Sequence, residues 1–136
     1  MKWKGWIIRE SLENDSILDK LKIINSIKEK NGEGDQLRVW NLNAVEVDDK
    51  EIKKVVSELQ DSIKFGWYTH FTNHEKLLII FRGKSFTIKI QKVLKETNTG
   101  ATKFKAETKE LEAWKNALEY GTKKGKVDPR YIVKVI

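Results

Sequence analysis

Between Trp67 and Ile90 the chain repeats one pattern three times. "WYTHFTN", "LLIIF" and "SFTIKI" are short β-rich runs, separated only by "HEK" and "RGK". Turns this short join antiparallel neighbours, because a parallel crossover needs a dozen or more residues. The stretch therefore predicts an antiparallel three-stranded meander. Alternation along the first run puts Trp67, Thr69, Phe71 and Asn73 on one side, and Tyr68, His70 and Thr72 on the other. The first set reads as core-facing. The second is partly polar and able to line a groove. "LLIIF" is apolar on both sides, which places it mid-sheet and buried.

The flanking segments fit around such a sheet. "KWKGWIIR" (2–9) reads as a first strand, with Gly5 marking a bulge or a close backbone approach. "ENDSILDKL" offers Ser16 as a cap, with Asp19 three residues on, for a single helical turn. "LKIINSIKEK" reads as a strand, "NGEGD" (31–35) as a hairpin loop, and "QLRVWNLNAVEV" (36–47) as a returning strand. In "VDDKEIKKVVSELQDSI", Ile52, Val55, Val56, Leu59 and Ile63 repeat every 3.6 residues, so the spacing predicts an amphipathic helix capped by Asp48 or Asp49. Gly66 is placed for a left-handed cap. Residues 91–107 hold no sustained period; they form a loop or an inserted hairpin in which Val93-Leu94 pairs back toward Phe104, with "TNTG" as a turn. "TKELEAWKNALEYG" predicts a second amphipathic helix, capped by Thr108, striped by Leu111, Trp114, Ala117 and Leu118, and closed by Gly121. Asp128-Pro129 marks a last helical turn or a sharp bend. The order β-β-β-α-β-β-β-α predicts an α+β protein with a mainly antiparallel sheet of about six strands and two helices, arranged as a single domain over 1–136.

Composition narrows the function. The chain has no cysteine, which removes disulfides, thiolate metal sites and cysteine nucleophiles. No stretch approaches the ~20 apolar residues that span a bilayer, and the N-terminal run lacks the form of a signal peptide, so no membrane role and a cytoplasmic location are expected. The net charge of +7 is unevenly distributed: residues 84–136 hold 13 Lys and Arg against 6 Asp and Glu, while residues 1–83 balance at 14 each. Such asymmetry can indicate a polyanion partner, while a Lys excess scattered among Glu is more often a solvated surface. Only four of the 27 basic residues are Arg, however, the type suited to bidentate base and phosphate recognition.

Catalytic motifs are missing. "RGKS" (82–85) lacks the upstream glycine of a phosphate loop, since residue 78 is Leu, and it leads into a strand. His70 and His74 are the only histidines, and on an extended segment they would lie ~13 Å apart, so no metal or cofactor is expected. Three constellations remain. Tyr68 and His70 with the basic turn at Arg82 and Lys84 predict a small-molecule or protein ligand site. Lys103, Phe104 and Lys105 predict a nucleic-acid contact in which Phe104 stacks a base, or else anchors the segment to the core. His70 as a general base with an unidentified carboxylate is the enzymatic alternative.

The opening "WIIRESL…SIL", the "VW…VEVDD" passage into a helix, "GWYTHF", the following "IIF" with its glycine turn, and "W…ALEYG" together resemble a family of small uncharacterised prokaryotic proteins with a G-W-Y-x-H-F strand. The resemblance covers most of the chain outside 91–107. It implies a stand-alone α+β domain, draws interest to Gly66, Trp67, Tyr68, His70 and Phe71, and carries no catalytic residues. The leading expectation is thus a non-enzymatic module binding a small ligand or a protein, with nucleic-acid binding through the basic C-terminal third as the alternative. Dimerisation through a strand edge or through 91–107 stays open.

Overall fold

The computed structural model describes residues 2–31, 38–95 and 102–136. It is an α+β protein. Six strands form the main sheet: β1 (Lys2–Ile8), β2 (Lys22–Asn31), β3 (Arg38–Asp48), β4 (Tyr68–Thr72), β5 (Lys76–Phe81) and β6 (Lys84–Lys89). Their order is β2-β3-β1-β4-β5-β6, and every pairing is antiparallel. A smaller sheet has the order β7-β8-β9, from β7 (Lys92–Lys95), β8 (Lys103–Lys105) and β9 (Lys134–Val135). The helices are α1 (Ile52–Ser62) and α2 (Leu111–Lys123). Among the described residues no helix is long and apolar enough to cross a membrane.

The two sides of the main sheet carry different layers. On one side, Trp3, Ile7, Val45, Val47, Phe71 and Ile80 meet Ile52, Val55 and Leu59 of α1 and Ile17 and Leu18 of the 3-10 turn at Asp15–Lys20. On the other, Leu77, Ile79, Phe81 and Ile88 meet Ala117 of α2 and Phe104, Ile132, Val133 and Val135 of the small sheet and its approach. The meander is therefore packed on both faces. All of Leu77 to Phe81 is buried, as the apolar run required.

Local details depart from the sequence reading in instructive ways. Asn14, rather than Ser16, caps the first 3-10 turn by accepting from the Ser16 N–H at 3.0 Å. Neither Asp48 nor Asp49 caps α1: Asp48 pairs with Lys2 and Asp49 accepts from the Trp3 indole, so tertiary partners claim both carboxylates. Thr108 opens a 3-10 turn without a side-chain cap. Gly121 does not end α2 but lies inside it, where a Cβ would stand 2.5 Å from the Phe81 ring. Gly66 does adopt a positive φ of 91°, in the turn past α1, where its N–H bonds to the Gly125 carbonyl. β9, parallel to β8, had no counterpart in the sequence reading: its two residues are too few to show a period. Of the loop expected at 31–35, residues 32–35 lie outside the described residues, as does the "TNTG" turn.

Candidate functional site

β4 lies between β1 and β5, so its side chains are fixed by partners on both flanks. Thr69 and Phe71 point into the α1 layer and are buried. Tyr68 and His70 point the other way, into the layer formed by α2 and the small sheet. The Tyr68 hydroxyl accepts from the Val133 N–H at 3.1 Å and donates to the Tyr131 carbonyl. Its ring lies 5.8 Å from Phe81 and 6.3 Å from His70. Phe104 meets the His70 ring edge-on at 6.2 Å. Tyr68 and His70 thus make their contacts with the protein's own second layer and keep part of their surface exposed. Both groups are driven toward neutrality by burial, which raises the Tyr68 phenol above its ordinary value and lowers the His70 imidazole to about 4.

A consequence follows for stability. The unfolded imidazole titrates near 6.5, so between about pH 6.5 and 4 the unfolded chain binds a proton that the fold excludes. The His70 contribution is complete above pH 6.5 and is lost as the pH falls toward 4. Urea midpoints converted to free energy should show a drop of about 2 kcal/mol between pH 7.5 and pH 5 that disappears in His70→Leu. An equal drop in both proteins would place the acid sensitivity elsewhere.

Arg82 and Lys84 sit at the β5–β6 turn and are occupied. Arg82 pairs with Glu13 at 2.8 Å and lies over the Phe65 ring. The Lys84 ammonium lies 5.1 Å from the Phe86 centroid and 5.6 Å from that of Tyr120. Their neighbours differ from those of His70, which meets Tyr68 and Phe104. Two concave regions of about 360 and 320 Å³ lie elsewhere, and both mix signs: Glu75, Glu107 and Glu110 with Lys76, Lys89 and Lys109 in one, and Glu46, Asp48, Glu51 and Glu58 with Lys20, Lys22 and Lys54 in the other. Among the described residues no group of three or more His, Asp or Glu is gathered to hold a metal.

The small sheet presents a different surface. Phe104 and Val135 are paired neighbours and both are buried, so this face of the sheet packs onto the core. Of the two roles the sequence offered Phe104, base stacking or core anchor, the structure gives the anchor: the ring is 1% exposed. Alternation then sends its neighbours outward. Lys95 pairs with Lys103, and Lys103 pairs with Lys134, so three lysines stand in one row across the three strands. Lys92 pairs with Lys105 in a second row. All five are exposed. Among the described residues, none of the five has a carboxylate within ion-pairing distance. Neighbouring strands are ~4.8 Å apart and alternate residues ~6.6 Å apart, so the charges form a compact lattice. Like charges directly opposite one another destabilise a sheet, which makes the arrangement costly unless something anionic covers it.

No family model, curated protein or solved structure matches the chain. The site therefore stands on its own geometry. Sequence reading found Lys103 and Lys105 of this lattice and missed Lys92, Lys95 and Lys134. The available signal was the K-F-K alternation around one aromatic. The other three join it only through strand register, which brings together residues up to 42 positions apart.

Proposed function

We propose that this protein is a non-enzymatic module that binds the phosphate backbone of nucleic acid through the outer face of the small sheet. The single observation carrying the reading is the five-lysine lattice with no acidic partner among the described residues. The excess charge of residues 84–136 agrees with it. A linear polyanion can run along rows of ammonium groups and release its condensed counterions as it does so. The paired outward positions of this face are Lys and offer no Arg fork to read base edges, while Val93 and Leu94 of β7 and Ile136 after β9 also stand exposed on the small sheet. Binding is accordingly independent of sequence.

Salt titration tests this. With about five phosphates neutralised, log K against log salt should fall with a slope near −4.5 on duplex DNA, a loss of roughly 500-fold between 50 and 200 mM salt. A slope shallower than −1, or binding to anionic vesicles in preference to DNA, would overturn the reading.

A further inference from the structure

An exposed aromatic ring lies just ahead of Lys134 of the lysine lattice in the chain. Tyr131 closes the 3-10 turn Pro129–Tyr131, three residues before Lys134, and keeps 56% of its surface exposed. Its mounting is rigid. Asp128 accepts from the Arg130 N–H at 2.9 Å and caps the turn, the Tyr131 N–H bonds to the Asp128 carbonyl at 3.0 Å, and the Tyr131 carbonyl receives the Tyr68 hydroxyl. The next two residues, Ile132 and Val133, are buried, and the Val133 carbonyl accepts from the Trp114 indole. The core thus holds this backbone from both sides while the ring is left in water. The Arg130 guanidinium lies 5.9 Å from the ring centroid. Three residues of chain span at most ~10 Å, so the Tyr131 and Lys134 backbones lie within that distance of each other.

Resting on the reading above, we infer that Tyr131 is a stacking platform for an unpaired base, and that the preferred ligand is single-stranded nucleic acid, its backbone laid along Lys134, Lys103 and Lys95. An exposed ring on a fixed backbone, combined with basic side chains that follow the phosphates, is the arrangement that sequence-tolerant single-strand binders use, since every base offers a π face. A duplex keeps its bases stacked inside and can use the lysines alone.

The test is fluorescence anisotropy of a labelled 15-residue oligothymidine and of a labelled 15-base-pair duplex, with the full chain and with Tyr131→Ala, Tyr131→Leu and Tyr131→Phe. The wild-type protein should favour the single strand. Tyr131→Ala and Tyr131→Leu should each weaken oligothymidine binding by roughly 5- to 150-fold, corresponding to the ~1–3 kcal/mol of one base–aromatic stack. Duplex binding should stay as in the wild type, and Tyr131→Phe should restore the single-strand affinity. Should Tyr131→Ala fail to fold, Tyr131→Leu decides alone. Unchanged oligothymidine binding in the Leu variant, or an equal loss on the duplex, overturns the stacking role while leaving the lysine face in place. If the wild-type chain binds neither polymer, both readings fall.

Discussion

Replacing Lys95, Lys103 and Lys134 together by Gln is expected to lower affinity for nucleic acid roughly 3,000-fold at 50 mM salt. These three form one row across the small sheet, with Lys103 paired to both of the others. Removing them takes about three phosphate contacts away, so the salt slope should shrink from near −4.5 to near −1.8. The two lines converge at 1 M salt, where counterion release no longer favours binding. Extrapolating back to 50 mM gives a difference of roughly 3,000-fold. The fold should survive the change and gain a little, because like charges no longer face one another across the strands. Paired measurement of anisotropy and thermal midpoint separates the cases. A weaker binder that melts at or above the wild-type temperature supports an interface; a weaker binder that melts early would make the lysines structural. Affinity within threefold of the wild type would remove the small sheet from the binding surface.

The second large effect concerns Gly5 and is structural. Gly5 pairs with Phe71 across β1 and β4, and the Phe71 ring lies against it. A Cβ there would stand 2.4 Å from the His70 carbonyl oxygen and 2.5 Å from Phe71 Cδ1. The first obstacle is backbone in the middle of a six-stranded sheet and cannot swing away. Gly5→Ala should therefore destabilise by about 3 kcal/mol, a large fraction of a typical total of ~5–15, although alanine removes some entropy from the unfolded chain. Adding Phe71→Leu should recover only part of the loss, since the ring is then relieved and the carbonyl is not. Equal urea midpoints for Gly5→Ala and the wild type would show that β1 and β4 can part at little cost.

The two effects separate what was legible in the sequence from what was not. The α+β class, the antiparallel meander and both amphipathic helices followed from periodicity, because a face that must be buried dictates which positions are apolar. The Gly5 approach was visible as a glycine inside a strand pattern. The ligand site around Tyr68, His70, Arg82 and Lys84 was inferred from polar groups on the second face of β4, and there the sequence lacked one fact. It showed that this face was mixed, but not that a second layer would cover it. Tyr68 reaches the Val133 N–H and the Tyr131 carbonyl, residues 63 to 65 positions away, and His70 meets Phe104. A tyrosine hydroxyl satisfied by backbone looks, in sequence, like one awaiting a ligand.

Helix caps failed for the same reason on a smaller scale. Asp48 and Asp49 precede α1 as caps would, yet Lys2 and the Trp3 indole hold them. A cap gains about 1 kcal/mol from a local amide, and a tertiary partner of similar strength is enough to divert it.

Local chemistry alone set the six strands of the main sheet, the two α-helices and the sides their apolar residues occupy, because burying those side chains is the largest favourable term and its period is written in the chain. The lysine lattice was decided only by folding. Its members come from β7, β8 and β9, and their union depends on backbone register, which is fixed when Phe104 and Val135 lock into the core beneath them. Charge was encoded residue by residue; its concentration on one face came from tertiary packing.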